Sequence, residues 1–250
     1  MIVLTGFTFE ETAGQVAKLY PDVKFILIDG QPLVEGEYQN FDNVVSVKFA
    51  ENEAGFLAGV ASALETQTGK VGYLGGIEVP AVVSYGSGFM QGVDYANKQM
   101  NTDVEMVDYV YSGTFSDFNI GQTISGGMFD KDIDIVMATA GVATQGAISE
   151  AKQRENVYIV GCDVDQYEDG ATKNGSVVLT SGMKHIDVAV SDILDKWLNG
   201  SFQGGEVVLM DASNGGVGLP TSNPNLSDTT LVKLKEVEQL LREGEIQVLN

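Results

Sequence analysis

The apolar runs of this sequence end repeatedly in glycine, an aromatic ring or a carboxylate. Gly6-Phe7 follows Ile2–Thr5, and Asp29-Gly30 follows Phe25–Ile28. The turn Ser112-Gly113-Thr114-Phe115-Ser116-Asp117 follows Val104–Val110, and Ala140-Gly141-Val142 follows Ile133–Ala138. Gly161-Cys162-Asp163-Val164-Asp165-Gln166 follows Val157–Val160, and Ser181-Gly182-Met183-Lys184 follows Val177–Thr180. Carboxylates accept hydrogen bonds from paired hydroxyls, rings stack on flat ligands, and glycine lets the backbone approach closely. Together these residues suit a neutral polar ligand with a flat ring. Each also has a plainer role: the aromatic as a core plug, the lone Asp as a helix cap or turn former. Lys184 opens a helix, where its charge opposes the dipole and asks for a specific partner.

Other chemistries fail on residue count or spacing. The chain has one Cys, Cys162, and one His, His185. That excludes an intrachain disulfide, a multi-cysteine zinc site and a His-pair metal site, and it argues against a Ser-His-Asp triad. Gly86-Ser87-Gly88-Phe89-Met90-Gln91-Gly92 looks like a dinucleotide loop, but it puts Gln91 where the third glycine belongs and lies within a predicted helix. Asp163 to Gly170 resembles a calcium loop but carries Glu168 where glycine is needed. Neither a phosphate-binding loop nor a nucleophile elbow is present. No cofactor and no metal are expected. With 14 Lys and Arg against 35 Asp and Glu, the net charge is −21. Phosphate affinity rests on clustered cations, so nucleic acid is not an expected partner.

The elements that must position these residues are legible in the periodicity. The strand candidates are the six runs above with Val44–Phe49, Val71–Leu74 and Val207–Met210, and a short closing strand over Ile246–Leu249. Most are apolar at nearly every position, as in strands buried on both faces of a parallel sheet. Helix signals lie between them. Thr8 with Glu11 reads as a capping box opening a helix to Tyr20, and Asp117 reads as a cap for a helix holding Phe118, Ile124 and Met128 inward. Ile186, Ala189, Val190, Ile193 and Trp197 form one apolar stripe, and Leu231, Leu234, Val237 and Leu241 another. The alternation predicts an α/β fold with right-handed crossovers. The 250 residues, 44% of them hydrophobic, are enough for two lobes, with the second strand series starting at Gln67-Thr68-Gly69-Lys70. Ligands of such sheets bind beyond the carboxyl ends of the strands.

At those ends the sequence resembles the basic membrane protein family of bacterial lipoproteins, which includes purine nucleoside receptors. The stretch Glu53-Ala54-Gly55-Phe56-Leu57-Ala58-Gly59-Val60-Ala61-Ser62 is similar to the family's E-x-G-[FY]-L-A-G segment. Gly69 to Gly76, Phe89 to Tyr95, Ala140-Gly141, Gly161 to Gln166, Ser181 to Lys184 and Gly215 to Leu219 follow in the family's order. The resemblance implies two doubly wound parallel-sheet lobes of the type I periplasmic-binding-protein kind, closing on a nucleoside, with no catalysis. It places the base-stacking aromatic at Phe115, the glycine of the Ala-Gly pair at Gly141, the ribose-binding carboxylate at Asp163 and the turn lysine at Lys184. It adds Gly6, Phe7 and Asp29 as ligand-binding residues. The family pattern opens with a lipobox signal and a β-α-β unit carrying a D-x-S-F-N turn, and none of these occurs here. The first lobe is therefore expected to be truncated. It would comprise residues 1–68 with about 184–213, and the second lobe 69–183 with about 214–250.

The leading reading is the substrate-binding component of an ABC importer. It would bind a nucleoside, most simply a purine one, and work with an ABC permease as a lipoprotein on the outer face of the plasma membrane. Self-association through the truncated lobe is a further expectation. A nucleoside-processing enzyme on the same scaffold and a cytosolic ligand sensor stand as alternatives.

Overall fold

A computed structural model describes residues 1–249. In chain order the elements are β1 (Ile2–Thr5), α1 (Glu10–Leu19), β2 (Phe25–Ile28), β3 (Leu33–Val34), β4 (Glu37–Tyr38), β5 (Val44–Phe49) and α2 (Glu51–Glu65). Next come β6 (Lys70–Gly75), α3 (Pro80–Gln99), β7 (Glu105–Tyr111), α4 (Phe118–Phe129), β8 (Ile135–Thr139), α5 (Val142–Ala151) and β9 (Tyr158–Asp163). The chain continues with β10 (Ala171–Thr172), β11 (Gly175–Ser176), β12 (Val178–Lys184), α6 (Ile186–Leu198), β13 (Val207–Met210), β14 (Val217–Gly218) and α7 (Asp228–Arg242). It divides into two compact units, Met1–Ala50 with His185–Gly216, and Glu51–Lys184 with Val217–Asn250. Asn250, which the sequence reading assigns to the second lobe, lies outside the described residues.

The first unit is built on a four-stranded sheet, ordered β1-β2-β5-β13 and parallel throughout. Strand β2 is buried at all four positions, as its unbroken run of apolar residues demands. Ala13 and Ala17 of α1 pack on Phe25, Leu27 and Val44. Strand β1 is an edge strand, with Ile2 and Val3 exposed. Thr8 and Glu11 do not form the expected capping box. Phe7–Phe9 make a 3-10 turn instead, and Phe9 is the N-cap of α1 with no side-chain bond. The early turn moves the helix start past the hydroxyl that would have capped it.

The second unit carries a six-stranded sheet, ordered β14-β12-β9-β8-β6-β7. All its pairs are parallel except β12 with β14. Successive side chains of a strand point to opposite faces. Leu74 accordingly enters the core shared with Met128, Phe129, Ala143 and Ile148 of α4 and α5. Its neighbour Tyr73 turns the other way and donates its hydroxyl proton to Val82 O of α3. Asp117 caps α4 through Asn119 N and Ile120 N, as its position predicts, but Phe118 is exposed where an inward ring was expected. The predicted strand over Ile246–Leu249 does not form. Side-chain amides hold that segment instead: Asn52 donates to Val248 O, and Gln91 exchanges two hydrogen bonds with Leu249.

Helix α2 packs on α3 inside the second unit, although the sequence reading places it before the boundary at Gln67–Lys70. Reciprocal glycines account for the fit. A Cβ on Gly55 or Gly59 would lie 2.2 Å from Tyr85 O or 2.1 Å from Phe89 O. A Cβ on Gly88 or Gly92 would lie 2.0 Å from Asn52 O or 2.1 Å from Phe56 O. The glycine series from Gly86 to Gly92 is thus a helix-packing surface, within α3 as expected, and not a loop. Replacing Gly59 by Ala should gain about 1 kcal/mol of helix propensity. The clash with backbone, which no rotamer relieves, should cost about 1–3 kcal/mol or more and win. Gly127 of α4 has nothing within 4 Å of its would-be Cβ, so Gly127→Ala should gain the propensity alone. Urea denaturation should show Gly59→Ala lowering the midpoint and Gly127→Ala raising it. A raised midpoint for both would contradict the interlock.

Candidate functional site

Because β12, β9, β8, β6 and β7 are parallel neighbours in that order, their carboxyl ends share one edge of the sheet. Neighbouring strands lie about 4.8 Å apart. Lys184, Asp163, Gly141, Gly76 and Phe115 therefore follow one another along that edge. Four of the residues expected from the sequence belong to this row.

Phe115 and Gly141 meet directly. Val142 N donates to Phe115 O at 2.8 Å, and a Cβ on Gly141 would lie 2.8 Å from that same oxygen. Gly141 has φ +58° and is the N-cap of α5, so glycine is needed both for conformation and for approach. The Phe115 ring lies over Gly76, where a Cβ would come within 2.3 Å of ring carbon Cε1. The ring is half-buried. The Cδ1–Cε1 side of the ring thus packs against backbone.

Asp163 and Lys184 form the second pair. Lys184 is the last residue of β12, and His185 rather than Lys184 is the N-cap of α6. The helix-opening position expected for Lys184 is therefore corrected by one residue, and the specific partner that its charge asks for is a pair of carboxylates. Lys184 Nζ lies 3.0 Å from Glu51 Oε1 and 3.4 Å from Asp163 Oδ1. Its side chain is 4% exposed and that of Glu51 is 11%, whereas Asp163 is 51% exposed. A buried charge is tolerated only when paired. The ammonium stands 5.7 Å from the centroid of the Tyr85 ring, on α3. The Tyr85 hydroxyl donates to Gly182 O at 3.0 Å and lies 3.3 Å from Asp163 Oδ1. Burial first, and then the Asp163 charge, raises this phenol well above its ordinary pKa, so it stays a donor. The Cys162 thiol lies 3.7 Å from Asp163 Oδ2 and is likewise raised, chiefly by burial.

Asp163 has φ +65°, a left-handed conformation that Asp adopts more readily than most residues. The following loop is tied back by Gln166, whose Oε1 accepts from Cys162 N at 3.1 Å and whose own N–H donates to Ser181 Oγ at 3.1 Å. Asp165 accepts from Tyr167 N and serves as a turn former. So of the two aspartates in the D-x-D-Q run, the first is held for display and the second shapes the turn.

Gly6, Phe7 and Asp29 lie at the carboxyl ends of β1 and β2 in the first unit. Gly6 N donates to Ile28 O at 2.9 Å, and Asp29 N to Val47 O at 2.8 Å. Phe7 is 42% exposed, and Asp29 has φ +57°. The sequence reading did not single out Glu51 and Tyr85. An acidic residue opening a helix two positions after a strand was the available signal for Glu51, while Tyr85 was hidden in the glycine series.

Comparison with known proteins gives the chain its relatives. The family described as "ABC transporter substrate-binding protein PnrA-like" matches over residues 1–250. A Listeria innocua protein named CD4+ T-cell-stimulating antigen is 30% identical over 254 residues, covering 97% of this chain and 68% of the relative. A Lactococcus lactis protein named ABC transporter nucleoside-binding protein BmpA is 34% identical over 230 residues, covering 87% of this chain and 62% of the relative. The chain thus spans a little under or over two thirds of these relatives. A crystal structure of an ABC transporter solute-binding protein from Aeropyrum pernix superposes with a TM-score of 0.78 at 26% identity, covering 98% of this chain and 76% of that one.

Removing the Lys184 ammonium leaves Glu51 buried without its cation, a loss of about 3–5 kcal/mol for buried pairs. Removing the half-exposed Asp163 carboxylate should cost about 1 kcal/mol or less. Denaturant unfolding should therefore place Lys184→Met well below Asp163→Ala in stability. Equal midpoints would show that Lys184 is not the structural cation of this edge. With the match over its whole length and the fold it shares with a solute-binding protein, the chain belongs to the PnrA-like family of ABC transporter substrate-binding proteins.

Proposed function

We propose that this chain binds a nucleoside, of the purine class, as the substrate-binding part of an ABC importer, without catalysis. The observation that carries the reading is Asp163, a half-exposed carboxylate whose backbone and inner oxygen are tethered while its side chain remains open to donors. Such a group accepts two adjacent ribose hydroxyls. The half-buried Phe115 ring, backed by Gly76, supplies a stacking surface for a base. Gly141 and Lys184 complete the proposed set in the second unit, Lys184 by holding Asp163. Gly6, Phe7 and Asp29 are the proposed ligand contacts of the first unit. The name of the Lactococcus lactis relative supports nucleoside binding. The proposed division of labour follows from the family: a permease as partner, and a place outside the cytoplasm at the membrane as a lipoprotein. No described helix is long and apolar enough to cross a membrane.

Calorimetry with inosine, adenosine and guanosine beside ribose and amino acids tests the reading. Purine nucleosides should bind, and Asp163→Ala should weaken inosine far more than hypoxanthine, by roughly 1.5–3 kcal/mol for each hydrogen bond to the carboxylate. Binding of ribose or amino acids alone would refute it, and equal losses for inosine and hypoxanthine would make Asp163 structural. The exposed Ile2 and Val3 on edge strand β1 support self-association as well. Light scattering should then show a mass that rises with concentration, and a constant monomer mass would remove that part of the proposal.

A further inference from the structure

Asp163 is held from below by residues that share none of its exposure. Tyr85 grips it twice: its hydroxyl lies 3.3 Å from Oδ1, and its oxygen accepts the Asp163 N–H at 3.4 Å. The same hydroxyl donates to Gly182 O at 3.0 Å, so one phenol spans β9 and β12, the strands that carry Asp163 and Lys184. Glu51 acts from the other side. Its Oε1 is nearer to the Lys184 ammonium, at 3.0 Å, than Asp163 Oδ1 is, at 3.4 Å. The cation is thereby drawn inward and shared between two carboxylates.

We propose that Glu51 and Tyr85 are positioning residues for ligand binding. Tyr85 orients the Asp163 carboxylate, and Glu51 holds the Lys184 ammonium in place beside it. Neither Glu51 nor Tyr85 touches the ligand. Both act only on the part of the ligand that Asp163 receives, a pair of adjacent hydroxyls. The inference rests on the nucleoside reading above.

The experiment is calorimetry on the full chain with inosine and with hypoxanthine, for the wild type, Tyr85→Phe and Glu51→Gln, with thermal unfolding in parallel. Each variant should weaken inosine about tenfold, the scale of one lost charge-assisted hydrogen bond. Hypoxanthine, which lacks the ribose, should stay within about twofold. Tyr85→Phe keeps the buried ring and so decides the matter even if Glu51→Gln fails to fold. Equal weakening of inosine and hypoxanthine would assign these residues a merely structural role and overturn the proposal, as would unchanged inosine affinity in Tyr85→Phe. A wild-type chain that binds no inosine overturns the nucleoside reading and this inference with it. Wild-type binding with unaffected variants overturns this inference alone.

Discussion

The second unit is organised around one buried cation. The Lys184 ammonium is almost wholly shielded and lies between Glu51 and Asp163. Glu51 begins and Lys184 ends the first of the unit's two segments, and Val217, which begins the second, is the ladder partner of Lys184. A single charge thus gathers the three places where the chain enters or leaves this unit. Burying an ammonium is costly unless carboxylates meet it at close range, so the arrangement leaves little freedom to the chain at any of these three places. Asp163 gains from that rigidity while keeping half of its own surface open.

The glycine interlock of α2 with α3 makes this arrangement possible. Glu51 is the first residue of α2, and Tyr85 lies on α3 one position before Gly86. The two helices approach until backbone touches backbone at Gly55, Gly59, Gly88 and Gly92. Ordinary side chains would hold the axes further apart. At that greater separation, Tyr85 and Glu51 would not reach Gly182 and Lys184 together. Packing far from any ligand surface therefore sets the geometry of a polar cluster at the sheet edge.

Some residues at the strand ends follow both of the roles that sequence reasoning leaves open. Asp117 is a cap and Asp165 a turn former, the plain outcomes for lone aspartates. Asp163, two positions from Asp165, is neither. It takes a left-handed backbone conformation and is fastened by a hydroxyl from another element. What separates the two is the neighbouring strand, which brings Lys184 to one and nothing comparable to the other.

The sequence alone was enough for the fold class and for most of the elements. Runs such as Phe25–Ile28 and Val44–Phe49 coincide with β2 and β5, because strands buried on both faces are apolar at nearly every position, interrupted in β5 only by the buried Ser46 and the exposed Lys48. The carboxyl-end turns were legible for the same reason: once strands are parallel, their ends must share an edge, and within those turns the family resemblance singled out Phe115, Gly141, Asp163 and Lys184. Tertiary structure decided what those residues do to one another. Lys184 sits on a strand and not on a helix, because β14 pairs with the end of β12 and extends it. The strand expected over Ile246–Leu249 is absent, and the side chains of Asn52 and Gln91 hold its backbone where a ladder was expected. Glu51 and Tyr85 lie 133 and 99 residues before Lys184, counted from the numbering, and only the close approach of α2 and α3 brings them to it. Periodicity records which face of an element is buried. It does not record which distant side chain will be found there, since that contact is set by packing between elements and not by spacing within one.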